Sequence, residues 1–174
     1  MVKKKHQINS SQNNLFNNIL LLSRNKLFYT KFDLNDTFEN RIHLIFFHLS
    51  FIFIKIKHVS ESQIYKTFYQ DMFDLTFHRI EQNMREIGFG DTTINKNMRF
   101  LVKNFYNILL KCEIYTEMST NDVNKFLLKY FQLNSSSNTN NNKEFIDYFN
   151  KYEAFCLDLR SDSVLKGDFK FNFI

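Results

Sequence analysis

The chain has 174 residues and only two cysteines, which excludes a disulfide scaffold and a cysteine-rich zinc site. Hydrophobic residues make up 44% and charged residues 24%, a globular composition with enough apolar side chains for a substantial core. The sequence has no proline and three glycines, which argues against a many-stranded β fold because hairpins and tight turns need these residues. We therefore predict an all-α fold, a single compact domain of about six helices.

The positive charge is concentrated near the N-terminus. The formal net charge is +5, and Lys3, Lys4 and Lys5 contribute three of those charges. We expect residues 1–14 to form a flexible basic N-terminus ahead of a helical domain at 15–172. A basic terminus suits an anionic membrane surface or RNA, and it also occurs in transit peptides. No apolar stretch with a small-residue cleavage site follows the lysines, so we predict no signal peptide.

Two helices are predicted in the first third of the chain. Apolar residues at helical spacing indicate a helix over 15–29, and Asp36 or Thr37 can cap a second helix that runs to about His58. The centre of this second helix, residues 42–56, is apolar nearly all round, which is typical of a core helix or a membrane span.

Length distinguishes these two possibilities. A span needs about 20 predominantly apolar residues. This stretch is shorter, and His43, His48 and Lys55 interrupt it. We therefore predict a central core helix, and shallow contact with a membrane stays open.

The next two helices meet at a glycine-rich corner. A capping box at residues 60–63 predicts the start of the third helix, and Gly88 should end it in the left-handed conformation. Gly90 allows a second unusual backbone conformation, and Asp91 or Thr92 can cap the fourth helix. One face of the fourth helix is apolar: Ile94, Met98, Leu101, Phe105, Ile108 and Cys112. The opposite face is polar: Lys96, Arg99, Lys103 and Asn107.

The remaining elements are shorter. A fifth helix follows Ser119 and Thr120, and residues 134–142 are a polar, low-complexity loop that we predict to be disordered. A sixth helix has apolar residues at helical spacing over 145–159. The tail at 164–173 alternates weakly between apolar and polar residues, which fits an extended edge or an irregular segment.

No catalytic constellation is evident in the sequence. His78 and Glu81 have the spacing found in carboxylate-bridged metal bundles, but a second such motif and further carboxylates are missing. His43 and His48 are five residues apart, so they cannot chelate one metal from the same helix. We predict no enzyme activity, metal, cofactor or small-molecule substrate. A di-metal or haem enzyme stays a competing hypothesis, with these three histidines as its ligands.

The corner segment at 84–96 gathers Arg85, Glu86, Asp91 and Lys96 around the two glycines. One interpretation is a structural corner, with an ion pair that holds two helices together. The other is functional, because a basic ridge of Lys96, Arg99 and Lys103 begins immediately afterwards.

At this corner the sequence resembles the ubiquinol–cytochrome c chaperone family. The family's recurrent stretch looks like Phe-x-x-Met-Asp-x-x-Leu-Arg-Glu-x-Gly-Val-Gly-Asp, followed by Val-x-Lys, and residues 77–96 are similar to it. Further similar motifs lie before and after this stretch, in the family's order: Arg24, Phe28, Tyr29, Asp36, Thr37, Arg41, His48, Phe105, Tyr106, Leu165 and Gly167. The chain departs from the family where Asn107 and Ile108 replace Gly-Arg, Asn95 replaces proline, and Ile80 and Glu81 replace Met-Asp.

The resemblance implies a non-enzymatic chaperone that binds newly made cytochrome b and supports assembly of the cytochrome bc1 complex. Its partners would be cytochrome b or other bc1 subunits, and a small partner protein and the ribosome are further candidates. Because the similarity begins by about residue 15, we expect the compact bacterial form, cytoplasmic and peripheral to the inner membrane. A eukaryotic form would lie on the matrix side of the mitochondrial membrane.

The candidate client-binding residues are those of the corner and the similar motifs: Arg41, His48, Arg85, Glu86, Gly88, Gly90, Asp91, Lys96, Arg99, Phe105 and Tyr106. The alternative function is a basic helical module that binds RNA or the ribosome, for which binding should weaken steeply with salt.

Overall fold

The computed structural model describes residues 10–59, 62–131 and 139–173, and these ranges hold eight α-helices, one 3-10 helix and no β-strand. The prediction of an all-α, single-domain fold is confirmed. The helices are α1 (Ser10–Ser23), α2 (Leu27–Thr30), α3 (Phe38–Val59), α4 (Ser62–Glu86), α5 (Asp91–Glu113), the 3-10 helix (Tyr115–Glu117), α6 (Thr120–Tyr130), α7 (Thr139–Asp158) and α8 (Ser161–Lys166).

The central element is α3. Its cap is Thr37, whose side-chain oxygen accepts a hydrogen bond from the backbone N–H of Asn40 at 3.2 Å. Every residue from 42 to 54 is buried, and α3 contacts α1, α4, α5, α7 and α8. The prediction of a core helix is therefore confirmed. In the ranges that the structure describes, none of the helices has the length and hydropathy needed to cross a bilayer.

The N-terminal segment differs from its prediction. A single helix over 15–29 is wrong, because α1 begins at Ser10 and ends at Ser23, and α2 follows separately. The break has a local cause: the side-chain oxygen of Asn25 accepts a hydrogen bond from the N–H of Leu27 at 3.0 Å, which forms a turn between α1 and α2. Residues 1–9 of the predicted flexible terminus lie outside the described residues.

The second half of the chain also differs in two places. Helix α7 begins at Thr139, so the prediction of a disordered loop is wrong for residues 139–142, whereas residues 132–138 lie outside the described residues. The predicted capping box at 60–63 includes two residues that are likewise not described. The first part of the tail is helical rather than extended, since it forms α8.

A glycine contact joins α8 to α1. Gly167 ends α8 with a φ of +67°, and a Cβ at this position would lie 2.5 Å from the backbone nitrogen of Leu15. The side-chain amide of Asn18 donates to the carbonyl oxygen of Gly167 at 2.6 Å. Only glycine fits both the left-handed backbone and this close approach.

The alternating residues after Gly167 pack on α7. The ring of Phe171 lies 5.1 Å from that of Tyr152, and the ring of Phe173 lies 5.2 Å from that of Tyr148. The weak apolar alternation in the tail therefore marks the side chains that cover α7.

Candidate functional site: a groove beside the α4–α5 corner

The α4–α5 corner is a tight, hydrogen-bonded turn. Gly88 has a φ of +92°, its N–H donates to the carbonyl of Arg85 at 3.0 Å, and the N–H of Phe89 donates to the carbonyl of Met84 at 3.0 Å. This pair of bonds is the Schellman motif, which satisfies the last carbonyl groups of a helix. The predicted role of Gly88 is confirmed.

The second glycine behaves differently. Gly90 is the N-cap of α5 with a φ of −73° and a ψ of 155°, so the predicted unusual conformation is wrong. A Cβ at Gly90 would meet nothing within 4 Å. Asp91 and Thr92 are not the cap; Asp91 is the first residue of α5, where its carboxylate faces the positive end of the helix dipole.

An ion pair joins the two helices at this corner. The guanidinium of Arg85 donates to the carboxylate of Asp91 at 2.6 Å and to that of Glu81 at 2.8 Å. These hydrogen bonds raise the pKa of Arg85. The ion pair expected of a structural corner is therefore present. Its charges are exposed to solvent, so its contribution to stability is small.

A groove of about 590 Å³ opens beside this corner, between α1, the start of α3 and the end of α4. We call it the α1–α4 groove. Its apolar lining is Phe16, Leu20, Phe38, Ile42, Ile45, Ile80 and Ile87, and its charged lining is Arg24, Asp36, Arg41, Arg79 and Glu86. Ile87 is the last residue before Gly88 and is 53% exposed, so the corner supplies one apolar wall of the groove.

A bidentate ion pair orders the charged rim of the groove. Arg41 donates from Nε and from Nη2 to the two carboxylate oxygens of Asp36, at 2.6 Å and 2.7 Å. The hydrogen bond from Arg41 lowers the pKa of Asp36. Burial, and then the charge of Asp36, raise the pKa of Tyr29 beside this pair. Bidentate geometry of this kind fixes the orientation of both side chains.

Two candidate residues do not lie on the surface. His48 and Phe105 are fully buried, which rules out their side chains as contacts for a client in this conformation. The Nδ1–H of His48 donates to the carbonyl of Leu44 at 2.6 Å, and its Nε2 accepts from the hydroxyl of Tyr148 at 2.7 Å. Burial lowers the pKa of His48 to about 4, so the ring is neutral. Phe105 packs among the rings of Phe46 and Phe77.

His43 is a second hydrogen-bonded core histidine. Its Nδ1–H donates to the carbonyl of Tyr130 at 2.8 Å, and burial lowers its pKa. Both histidines are therefore hydrogen-bonded within the core. Among the described residues, no three His, Cys, Asp or Glu side chains form a cluster that could hold a metal ion.

The remaining candidates fall into three places. Arg41 and Glu86 line the α1–α4 groove, whereas Arg85, Gly88, Gly90 and Asp91 form the exposed corner next to it. Lys96, Arg99 and Tyr106 are exposed along α5 and do not line the groove. The candidates thus do not share one site.

Sequence reasoning missed much of the groove. Arg24 and Asp36 belong to the motifs that resemble the family, so that similarity was a usable signal for them. The apolar lining, including Phe16 and Leu20, gave no such signal, because in sequence these residues only mark the inner stripe of α1. Arg79 likewise looks like any exposed helix residue until α1 and α3 are placed beside it.

The fold itself has a known counterpart. A crystal structure of the Cbp3 homolog from Brucella abortus matches with a TM-score of 0.75, over 94% of this chain and 89% of that chain. Sequence identity is 17%, so this likeness shows the fold alone. Comparison with curated proteins finds no match. The fold class is therefore an all-α domain around one buried helix, shared with that homolog.

Sequence comparison identifies the family. The family described as Ubiquinol-cytochrome C chaperone matches residues 30–171, which is most of the chain. This protein belongs to the ubiquinol–cytochrome c chaperone family. The membership confirms the resemblance of the corner motif and supports a general chaperone role in assembly of the cytochrome bc1 complex.

Proposed function

We propose that this chain is a non-enzymatic chaperone that binds newly made cytochrome b through the α1–α4 groove. The observation that carries the proposal is the convergence of separate motifs on this groove. Arg24, Arg41 and Glu86 come from three different motifs of the chain and line the same opening.

The chemistry of the groove fits an unassembled membrane protein. Its lining of Phe, Leu and Ile offers apolar contact to a segment that would otherwise be exposed to water. Its rim has charges of both signs, which stay solvated and discourage closure of the groove on itself. An amphipathic or apolar helix laid in such a groove is a common recognition mode, and its affinity comes from a few anchoring side chains.

In this proposal the chain acts at the inner membrane, on the cytoplasmic side in a bacterium or on the matrix side in a mitochondrion. Other bc1 subunits, a small partner protein and the ribosome would be further contacts of the same assembly step. None of these contacts needs a cofactor or a reaction catalysed by the chaperone.

Co-purification tests the proposal. The tagged full chain is isolated from its own membranes, and cytochrome b and the other bc1 subunits are quantified in the eluate. Enrichment of cytochrome b without the mature complex supports binding early in assembly. Absence of cytochrome b from the eluate contradicts it.

Two matched isoleucine substitutions locate the contact. Ile87→Ser removes an apolar wall of the groove, and Ile64→Ser changes a similarly exposed isoleucine of α4 that does not line it. Loss of one buried isoleucine contact should lower recovery of cytochrome b about tenfold in the Ile87 variant. Recovery with the Ile64 variant should equal that of the unchanged chain. Equal loss in both variants would place the client elsewhere.

A further inference from the structure

The outer side of α5 and the neighbouring side of α6 form a surface that the proposed function does not use. It is basic: Lys96, Arg99, Lys103, Lys111, Lys125 and Lys129 are all exposed. We call it the α5–α6 face. The α5 members are spaced by three, four and eight residues, which places them on one side of the helix.

Large apolar side chains lie between these basic residues. Phe100 is 54% exposed and Leu110 61%, and both lie on the same side of α5 as Lys96 and Lys103; Ile114, the C-cap residue of α5, is 41% exposed. Leu110 and Ile114 also line a shallow groove of about 840 Å³ between α5 and α6. Exposed apolar residues gathered in this way mark a surface that contacts something other than water.

The charge of this face is unbalanced. Across the described parts of the chain, none of its six basic side chains has an ion-pair partner, whereas Lys57 pairs with Glu113 at 2.5 Å on the other side of α5. The acidic residues that line its groove are Glu117 and Asp122. Asp122 accepts a hydrogen bond from the hydroxyl of Ser119 at 2.7 Å, within the cap of α6.

We propose that the α5–α6 face docks the chaperone on an anionic lipid surface. Lysine and arginine attract acidic headgroups, and their alkyl stems lie along apolar surface while the charged ends reach the phosphates. Phenylalanine, leucine and isoleucine on the same face then enter the boundary between headgroups and acyl chains. Such a face binds in the plane of the membrane without crossing it.

The aliphatic residues favour lipid over RNA. Binding to an RNA backbone requires cations and, for single strands, aromatic rings for stacking. It gains nothing from Leu110 or Ile114, which are the exposed aliphatic side chains of the face. The face shares no residue with the α1–α4 groove, so this inference does not rest on the proposed function.

Vesicle co-sedimentation tests the inference with the full chain. Vesicles of phosphatidylcholine alone are compared with vesicles that contain phosphatidylglycerol as well, at low and at raised salt. The chain should bind the anionic vesicles much more strongly. Neutralising one lysine near such a surface lowers binding about fivefold, so Lys103→Gln with Lys111→Gln should lower it about 25-fold.

Matched controls separate the face from overall charge. Lys166→Gln with Lys170→Gln makes the same change in net charge on α8 and the tail, and vesicle binding should change less than twofold. Leu110→Ser should lower binding about tenfold even at raised salt. Leu21→Ser changes a leucine of α1 that is 70% exposed, and it should have no effect.

Three results would overturn the inference. The first is equal loss in the two double-lysine variants, which would reduce the effect to net charge. The second is an unchanged affinity of Leu110→Ser, because a lipid interface must respond to this residue. The third is binding to ribosomal RNA that falls with Lys103→Gln and Lys111→Gln while anionic vesicles bind no better than neutral ones; this result would assign the face to RNA.

Discussion

Helices α3 and α5 have nearly the same length, 22 and 23 residues, but they differ in how much of their surface is exposed to solvent. Helix α3 is buried on every side over most of its length, whereas α5 buries one stripe and exposes the other. His48 of α3 and Lys96 of α5 both looked like candidate contacts in the sequence, and only the second is on the surface. A helix enclosed by five others therefore specifies the fold, whereas a helix with an exposed side can serve recognition.

Truncation of one phenylalanine in each helix should give the largest difference in the free energy of unfolding. Phe47 of α3 is fully buried, with the rings of Phe126 and Phe131 both 5.1 Å away. Phe47→Ala should lower the free energy of unfolding by about 3–5 kcal/mol, because it leaves a cavity in the aromatic core. Phe100→Ala on the exposed side of α5 should change it by less than about 0.5 kcal/mol. Urea denaturation measures both, and a similar loss in the two variants would contradict the comparison.

Protonation of His48 tests the burial of α3 by a second route. Its pKa is about 4 in the folded chain, against the ordinary value of 6.5, so between these pH values the unfolded chain binds the extra proton. The contribution of neutral His48 to the free energy of unfolding is therefore fully present above about pH 6.5. It is lost as the pH falls towards 4, and the total loss is roughly 3 kcal/mol. Urea denaturation across this range should show a shallower pH dependence for His48→Gln. An unchanged slope in that variant would mean that His48 is accessible to protons in the folded state.

Alanine substitutions of the two glycines that precede α5 should change the free energy of unfolding least. Gly88 has a φ of +92° and open space around it, so Gly88→Ala is penalised by backbone strain alone, about 1–2 kcal/mol. Gly90 has an ordinary φ but is the N-cap of α5, where alanine is disfavoured, so Gly90→Ala should cost less than Gly88→Ala, about 0.5 kcal/mol. Thermal unfolding of the two variants measures the difference. Equal destabilisation would show that the corner tolerates neither side chain, and would remove the distinction between its two glycines.

Local patterns in the sequence predicted most of the helices. The apolar stripe of α5, the cap at Thr37 and the left-handed Gly88 each depend on residues a few positions apart, so the sequence displays them directly. The break at Asn25 was missed because its side chain replaces one helical hydrogen bond without any change in the apolar pattern. The helical start of the tail was missed because α8 is short and is stabilised by α1.

The candidate site was less accessible to sequence reasoning. Arg24, Arg41 and Glu86 lie far apart in the chain, and only the packing of α1, α3 and α4 brings them to one groove. His48 and Phe105 were included because they match family motifs, but a motif residue can be shared for packing as well as for contact. Burial separates these two cases, and burial is a property of the assembled fold.

The contact between Gly167 and α1 can form only late in the synthesis of this chain. The hydrogen bond from Asn18 to Gly167 joins residues 149 positions apart, so α1 has no partner in α8 until residues 161–167 have left the ribosome. Helix α1 can pack on α3 and α4 earlier, since both precede α8 in the chain and contact α1. The residues that line the α1–α4 groove all lie between positions 16 and 87, so they are synthesised before α8 is added against the other side of α1.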